Sequence, residues 1–543
     1  MKKNYERVKW LMLFPILLIV FGCSEDEDTS DPAINEPEML NGITSDDLDA
    51  YKGDLGLTIN VRDLLKKGYK PAKIMLTTMA EQGNYDQELE LHPFANIAQV
   101  KLPVEDLSNT AEEELREGIG LEIKILDASS DEITSVSYSK KSFEEGDNQI
   151  NMDAGTLDYQ LQDLYFTENM RYYIQLVNAD GEFDEDIVIK PSSAGDDEIR
   201  LVEQASLFNP ENTHQQFLVH KFDGEDNVFA LYSAETYNYI RIGLETRALA
   251  QSGIYNFDIH SPEELDADFR FLLEKEQTNG LYTIRRAEGR EPLRRVNNGG
   301  KINWDINGSG TIQYFRIIAL DINWEPTQLS TEYLQPILPA AETSFGFNST
   351  LRNCGSGTLE QQVGIEREIT TTYSSLFSES IGFCSRETKS INVSVSTTAE
   401  ASFFGTGGSV TAEVSAGVEL TTEARSTTTT SKEESVSETN TFFSNRTVTV
   451  LPGTASLVYD AYQTYSNVRV PYVKRLRLRG NLSESSGTLS GNEIATQLEM
   501  TNFTGIITEI GNDYVEVTIR GNMILDNIVD TQTEVRDVEA NCD

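Results

Sequence analysis

The sequence predicts an all-β protein made of several domains, and three observations support this. The chain has 543 residues, more than one domain usually holds. Short runs alternate apolar and polar residues with a period of two, and polar turns separate them. Hydrophobic residues make up 38% of the chain, which favours folded cores over a disordered acidic polymer.

The charge balance excludes one class of partner. The chain carries 88 acidic against 44 basic residues, a formal net charge of −44. Such a field repels phosphates, so we expect no nucleic-acid partner.

Residues 1–22 have the pattern of a bacterial export signal. An apolar run at 10–21 is too short for a spanning helix, and it follows four cations: Lys2, Lys3, Arg7 and Lys9. The run ends at Val20-Phe-Gly-Cys23, which resembles the lipoprotein box and implies lipidation of Cys23. The alternative is an ordinary signal peptide that happens to end in a cysteine.

The segment 23–55 is predicted to be an acidic tether. Its opening residues, Ser24-Glu-Asp-Glu-Asp28, are similar to the acidic tag of surface-displayed lipoproteins in Bacteroidetes-type bacteria. This likeness implies an outer-membrane, lipid-anchored, surface-exposed protein. The alternative is a solvated charge run in a linker. Without residues 1–22 the net charge becomes −44 − 3 = −47.

Residues 56–200 are predicted to form an immunoglobulin-like β-sandwich. Alternating runs such as Leu57–Val61, Leu121–Leu126 and Tyr172–Val177 are separated by polar turns over this length. A spacer and a ligand-binding module are both compatible with this pattern.

Residues 201–335 are predicted to form a β-trefoil-like module. The run Val228–Leu231 is echoed 53 residues later by Leu281–Ile284, and Phe315 begins a candidate third copy. Sugar binding is an expectation from architecture alone. Three aromatic residues are candidates for sugar stacking or for the core: Tyr237, Tyr239 and Trp304.

The cysteines predict a disulfide in an exported protein. With Cys23 acylated, Cys354, Cys384 and Cys542 remain, and we expect Cys354 to pair with Cys384 across about 30 residues. Cys542 would then be free. No motif makes these cysteines metal ligands or nucleophiles.

Residues 336–543 contain an amphipathic hairpin. Alternate positions are apolar along 391–403 and 410–420, around the glycine-rich turn 405–408. Its arms have about 13 and 11 residues, and a tilted membrane-spanning strand needs about 9 to 11. The candidate membrane-inserting residues are Ile391, Val393, Val395, Ala399, Ala401, Phe403, Phe404, Val410, Ala412, Val414, Ala416, Val418 and Leu420.

One hairpin alone cannot remain in lipid, because its outer backbone groups would lack partners. Insertion therefore predicts a barrel closed with copies from other chains. Phe403 and Phe404 would lead insertion at the turn. The polar face would line the lumen with three glutamates: Glu400, Glu413 and Glu419. The alternative is a strand pair of a soluble antiparallel sheet.

The segment 336–543 resembles the pore-forming domain of the aerolysin and epsilon-toxin/Mtx2 superfamily, including natterin-like proteins. The shared order is a Ser/Thr-rich strand, a glycine-bounded hairpin, a second Ser/Thr-rich strand and two Val/Pro signatures, here Val448–Ala455 and Val468–Val473. Returning strands are indicated at Phe503–Ile510 and Val515–Gly521. The resemblance implies an elongated all-β domain that assembles as a ring on a membrane. Gly417-Val-Glu419 stands where relatives often have Gly-Ile-Pro, so a shifted hairpin frame stays open.

No enzyme is predicted. The sequence has no Gly-x-Ser-x-Gly elbow, His-Glu-x-x-His helix or phosphate loop, and we expect neither cofactor nor metal. The predicted function is a surface lipoprotein that oligomerises into a β-barrel pore. Its expected partners are a lipid membrane, further copies of itself, and a glycan or protein receptor. The alternative is a non-lytic adhesin or glycan-binding lipoprotein.

Overall fold

The computed structural model is all-β, with several separate sheets. It describes residues 53–542 except 169, 182, 192–198, 202–208, 210, 226, 243–248, 256–261, 296–301, 305–309, 378–390, 397–401, 405–408, 412–418, 425–433, 483–486 and 502. Cys23 and the predicted signal therefore lie outside the described residues.

The first module is a sandwich of a three-stranded and a four-stranded sheet. Alternate residues of its strands point into one shared core, as in β5, where Leu121, Ile123 and Ile125 are buried. Its elements are β1 (Leu55–Asn60), α1 (Arg62–Lys66), β2 (Pro71–Met79), β3 (Gln87–Glu90), β4 (Ile97–Val100), α2 (Asn109–Glu117), β5 (Ile119–Asp127), β6 (Glu132–Lys141) and β7 (Gly146–Asn151).

The strand order of this sandwich differs from the immunoglobulin order. One sheet runs β4-β1-β7 and the other runs β3-β2-β5-β6, with β1 parallel to β7. In an immunoglobulin domain the first, second, fifth and fourth strands share a sheet. The sandwich expectation is confirmed, while the immunoglobulin topology is wrong. Alternation reports which residues face inward, and it carries no information about which strands pair.

The second module is a β-trefoil. Its strands are β8 (Tyr172–Val177), β9 (Phe183–Pro191), β10 (Ile199–Leu201), β11 (Phe217–Lys221), β12 (Val228–Ser233), β13 (Asn238–Ile242), β14 (Leu249–Tyr255), β15 (Phe271–Lys275), β16 (Tyr282–Arg286), β17 (Leu293–Arg295), β18 (Ile302–Trp304), β19 (Thr311–Ile312) and β20 (Tyr314–Ala319).

The trefoil follows from a pairing pattern that occurs three times. The central strands β8, β12 and β16 pair with β20, β11 and β15, respectively. Each central strand also leads into a hairpin: β9-β10, β13-β14 or β17-β18. Because β20 pairs with β8, the last strand closes the barrel on the first. A closed barrel leaves no open edge around its circumference.

The core of the trefoil repeats with the same three-fold pattern. Tyr172, Phe229 and Tyr282 on the central strands are all buried, as are Phe217, Phe271 and Phe315 on their partners. The 53-residue spacing in the sequence corresponds to the second and third repeats. The first repeat starts at Tyr172, inside the range 56–200 predicted to be sandwich, and the strand at Phe315, predicted to begin a third copy, is the one that closes the barrel.

The third module contains the longest strands. Its elements are β21 (Ile322–Tyr333), β22 (Glu342–Asn353), β23 (Leu359–Phe377), β24 (Ile391–Ser396), β25 (Ser402–Phe404), β26 (Ser409–Thr411), β27 (Glu419–Ala424), β28 (Glu434–Val450), β29 (Thr454–Tyr465), β30 (Val468–Leu482), α3 (Gly491–Met500), β31 (Ile506–Ile510), β32 (Val515–Asp526) and β33 (Ile528–Val538).

These strands build two main sheets. A six-stranded sheet runs β21-β30-β32-β23-β28, with β31 added beside β32, and a three-stranded sheet runs β22-β29-β33. One hydrophobic core joins the trefoil, α3 and the strands β30 and β32, so this end of the module and the trefoil form one packed body. A smaller cluster around Val363, Val448 and Val458 packs the far ends of the two sheets together.

The disulfide joins Cys354 to Cys542, with a Cα–Cα distance of 5.6 Å. The predicted Cys354–Cys384 bridge is therefore wrong, and Cys542 is not free; Cys384 itself lies outside the described residues. The physical reason is strand pairing. β22 ends at Asn353, opposite Thr454, and β33 ends at Val538, opposite Ala455, so both cysteines follow strands that finish beside the start of β29.

Candidate functional site

The predicted hairpin is a two-stranded ribbon in its described parts. β24 pairs antiparallel with β27, and β25 pairs with β26; the predicted turn 405–408 between β25 and β26 lies outside the described residues. Eight of the predicted inserting or lumen residues lie outside the described residues: Ala399, Glu400, Ala401, Ala412, Glu413, Val414, Ala416 and Val418.

The register of the ribbon keeps the predicted apolar positions together. Ile391 is opposite Ala424, Val395 is opposite Leu420, and Phe403 is opposite Val410. Directly opposed residues share a face of an antiparallel pair. The polar positions are likewise opposed to one another, since Ser394 is opposite Thr421, Ser396 is opposite Glu419 and Ser402 is opposite Thr411. Phe404 is an exception, because it is opposite Ser409.

In sequence, the ribbon lies between β23 and β28, and these two strands pair with each other. β23 leads into it and β28 follows it, and their ladder runs from Leu359 opposite Val450 to Ser375 opposite Glu434. Hydroxyl groups meet across this ladder: the Oγ1 atoms of Thr370 and Thr439 are 2.8 Å apart. The Ser/Thr-rich stretch 421–444 is therefore strand in its described parts, where composition alone favours a linker.

The ribbon is folded back along its own module. β24 lies beside β21, and β27 lies beside both β23 and β28. The ribbon shares no ladder with those strands among the described residues. It therefore borders the six-stranded sheet without being hydrogen-bonded into it.

Where the trefoil meets α3, an ion pair joins the buried Lys275 to Glu499, whose side chain is 30% exposed. Lys275 Nζ lies 2.6 Å from Glu499 Oε1, and the Lys275 side chain is only 5% exposed. The Tyr282 hydroxyl donates to the same carboxylate oxygen at 3.1 Å. Burial raises the pKa of the Glu499 carboxyl, but Lys275, Arg316 and Tyr282 more than offset this, so its pKa lies below the usual value.

This pair predicts acid sensitivity of the junction. A depressed carboxyl pKa stabilises the fold above the unfolded pKa of about 4.3, and that stabilisation is lost as pH falls through the lower folded value. We expect Glu499→Gln to lower the free energy of unfolding by about 3 kcal/mol at pH 7, because Lys275 stays buried without its counter-charge. Urea unfolding at pH 7 and at pH 3 measures both effects, and the variant should lose less stability on acidification than the parent.

Glu288 supplies the matched control for that prediction. Its side chain is 71% exposed and lies 3.4 Å from Arg286 Nη2, so Glu288→Gln should change stability by less than about 1 kcal/mol. Equal effects of Glu499→Gln and Glu288→Gln at pH 7 would contradict the assigned role of the Lys275–Glu499 pair.

The trefoil aromatic residues divide between core and surface. Tyr239 is fully buried and stacks on His220, with ring centroids 6.1 Å apart. Tyr237 is 49% exposed and has a φ of +59°, which holds it in the turn between β12 and β13. Trp304 lies in β18, and its side chain is outside the described residues. Of the three candidates, Tyr237 is thus placed to contact a ligand.

The described residues show no site for chemistry on a bound metal. No group of three or more His, Cys, Asp or Glu in that part of the chain is arranged to hold an ion. Among the described helices, none has the length and apolar composition needed to cross a membrane.

No protein-family model matches the chain. No curated protein matches it either.

Solved structures show partial likeness at low identity. A non-toxic crystal protein from Bacillus thuringiensis is 14% identical with a TM-score of 0.26, over 40% of this chain and 85% of that one. The parasporin-2 toxin of Bacillus thuringiensis, which recognises cancer cells, is 16% identical with a TM-score of 0.19, over 41% and 75%. A Polyporus squamosus lectin bound to a sialylated epitope is 15% identical with a TM-score of 0.21, over 30% and 52%. At these values the assignment of fold rests on the strand pairing described above.

Proposed function

We propose that the protein permeabilises membranes by extending the β23–β28 ladder through the ribbon, and that several copies close a β-barrel pore. The observation that carries this proposal is the ladder itself. The strands that enter and leave the ribbon are already paired with each other, so extension of their ladder would make the ribbon the distal part of one long hairpin. The aerolysin-type resemblance of the sequence agrees with this reading.

The register of that ladder suits the sequence of the ribbon. Each β23–β28 pair has residue numbers that sum to 809, as in 359 + 450. Continued outward, this register places Ile391 opposite Val418, Val393 opposite Ala416 and Val395 opposite Val414. In the ribbon as it is folded in the structure, the paired residue numbers of β24 and β27 sum to 815. The two sums differ by six, an even number, so each residue stays on the same face and apolar residues again oppose apolar residues. The inserted hairpin therefore keeps an apolar face for lipid.

The opposite face supplies a polar lumen. In the extended register Glu413 is opposite Ser396 and Glu419 is opposite Ser390, and Glu400 lies on the same face. A ring of carboxylates favours cations in a pore. With vesicles in a KCl gradient, we expect the protein to generate a potential selective for potassium over chloride.

Two further parts would bring the ribbon to a membrane. Lipidation of Cys23 would anchor the chain to an outer membrane, and the trefoil, through exposed residues such as Tyr237, would contact a glycan receptor. If the protein is instead a non-lytic adhesin, the trefoil would bind the receptor and the ribbon would not insert. A Cys23→Ala protein that is released from its producer and still permeabilises other membranes supports the pore over the adhesin.

Release of calcein from phosphatidylcholine vesicles at high protein concentration tests the proposed pore. We expect release together with a detergent-resistant oligomer. Val395→Lys should abolish release, since a lysine facing lipid at mid-depth costs about 2–4 kcal/mol in every protomer. The matched variant Ser394→Lys places the same charge on the polar face and should keep release. Vesicle binding without release or oligomers, in the parent protein, would favour the adhesin.

A further inference from the structure

Two long strands of the third module bend together at one level. Tyr465 on β29 is opposite Ile528, and Val468 on β30 is opposite Leu525. The paired residue numbers sum to 993 in both cases, so one register continues from the first ladder into the second. β29 with β30, and β32 with β33, are therefore two continuous strands that pass from the three-stranded to the six-stranded sheet. At the bend, Asn467 and Asn527 have φ values of +55° and +59°. Asn is among the few residues that adopt this conformation readily.

β21 and β22 also lie on either side of the bend, and the segment that connects them is not paired with a strand of either sheet there. β21 ends at Tyr333 opposite Tyr472, and β22 starts at Glu342 opposite Thr464. The connecting segment 334–341 contains Pro336 and Pro339, which have no N–H group for a ladder. Beyond Leu334, which still bonds to β30, its backbone must therefore find hydrogen bonds outside the two sheets.

The sandwich supplies those bonds through Asp54. The Asp54 amide donates to the Leu338 carbonyl at 3.1 Å, and the Leu338 amide donates to Asp54 Oδ2 at 3.0 Å. The Asp54 side chain is fully buried, and Lys101 Nζ lies 3.2 Å from its carboxylate. Losing this acceptor would leave a buried donor and a cation without their partner.

The same segment reaches into the bend. The Leu338 side chain packs among Tyr465, Val468, Met523 and Leu525, which flank the bend on both strands. Beside it, Gly56 of β1 touches Ile337 so closely that any Cβ at position 56 would overlap the isoleucine. Among the described residues, the sandwich thus reaches the bend through the segment 334–341.

Other contacts hold the sandwich to the six-stranded side of the bend. The Arg475 guanidinium lies 3.8 Å from the ring centre of Phe94, and Arg520 donates to Asn60 at 3.1 Å. His92 Nε2 lies 3.6 Å from Glu332 at the end of β21. The sandwich is therefore fixed to the six-stranded sheet, and it also binds the segment 334–341 that leads to the three-stranded sheet.

From these contacts we infer that the N-terminal sandwich is an intramolecular clamp on the bend. It restrains the three-stranded sheet relative to the six-stranded sheet by holding 334–341 through Asp54 and Gly56. Apart from the sandwich, the described residues hold the backbone of this segment through Leu334, which donates to the Pro471 carbonyl of β30 at 2.8 Å, on the six-stranded side of the bend. This role concerns the isolated molecule and does not depend on pore formation.

Hydrogen exchange of the full chain, measured by mass spectrometry without a membrane, tests the clamp. Gly56→Ala should accelerate exchange by about tenfold in peptides that cover 334–341 and 462–470, because the added methyl group displaces Ile337. Peptides of the trefoil, such as 217–233, should exchange as in the parent. The matched control is Gly357→Ala, because a Cβ at Gly357 meets no atom within 4 Å and the exchange pattern should not change.

Two companion variants make the outcome decisive. The double variant Gly56→Ala/Ile337→Ala removes the overlap and should restore slow exchange at 462–470. Asp54→Ala leaves Ile337 untouched and should accelerate the same two peptides. Unchanged exchange at 462–470 in both Gly56→Ala and Asp54→Ala would overturn the clamp, as would acceleration that spreads equally to the trefoil.

Discussion

A disulfide between positions 393 and 422 is expected to abolish membrane permeabilisation. Val393 is opposite Thr422 in the ribbon as it is folded in the structure. The Cα atoms of opposed residues in an antiparallel pair lie about 4.5–5.5 Å apart, which is within the range of a disulfide. The oxidised Val393→Cys/Thr422→Cys protein should therefore fold with its ribbon in place, and its calcein release should fall by at least about 100-fold.

The reason for the block lies in the residue count between the base and the ribbon. The pair 393–422 of the folded ribbon is separated from the base pair Ser375–Glu434 by unequal lengths of chain. One strand has 17 residues between the two pairs, 376–392, and the other has 11, 423–433. Six residues would have to bulge from the longer strand. In lipid their backbone groups would have no partners, and each unsatisfied group there costs several kcal/mol.

A second cysteine pair provides the matched control. Positions 393 and 416 are each separated from the base pair by 17 residues, 376–392 and 417–433, so the β23–β28 register opposes them. The Val393→Cys/Ala416→Cys disulfide should form after vesicles are added and should permit release. Both pairs are made in a Cys384→Ser background, and the parent is assayed with and without dithiothreitol to separate the effect of reducing Cys354–Cys542.

The two disulfides distinguish a wrong register from a wrong function. If the 393–422 protein releases calcein as fast when oxidised as when reduced, the hairpin does not insert in the register of β23 and β28. If neither protein nor the parent releases calcein, the pore itself is contradicted.

The parts of the fold that sequence could predict are those set by local pattern. Alternation along 391–403 and 410–420 identified a hairpin around the turn 405–408, and its described parts pair as a ribbon. A 53-residue spacing identified the trefoil, since Phe229 and Tyr282 occupy equivalent buried positions. Each of these signals depends on neighbours in sequence or on an internal repeat.

Pairing between distant strands was not accessible in the same way. β1 joins β7 of its own sandwich in parallel, and nothing in the alternation of Leu55–Asn60 states which strand it will meet. Asp54 shows the same limit. It stands at the end of a segment that composition predicts to be a solvated tether, yet it is fully buried against Leu338. Its role follows from two prolines almost three hundred residues away.

The disulfide also depends on pairing between strands that are distant in sequence. Spacing favoured Cys354 with Cys384, but strand pairing brings Cys542 beside Cys354 across 188 residues. The bridge ties the outer strands β22 and β33 together across β29. By the entropy of loop closure, removing a crosslink of this span lowers the free energy of unfolding by at most about 5 kcal/mol.

We expect Cys354→Ser and Cys542→Ser to cause the same loss, because either change removes the one bridge. The loss should concentrate at the far end of the third module, where β33 is held by its ladder with β29 and by the Tyr459 hydroxyl, which donates to Glu534 at 2.7 Å. Limited proteolysis should therefore cleave within 528–542 earlier in both variants, while the trefoil stays resistant. Cys384→Ser is the control and should match the parent in urea unfolding and in proteolysis. Destabilisation by Cys384→Ser with no effect of Cys542→Ser would restore the Cys354–Cys384 pairing and remove the tie across β29.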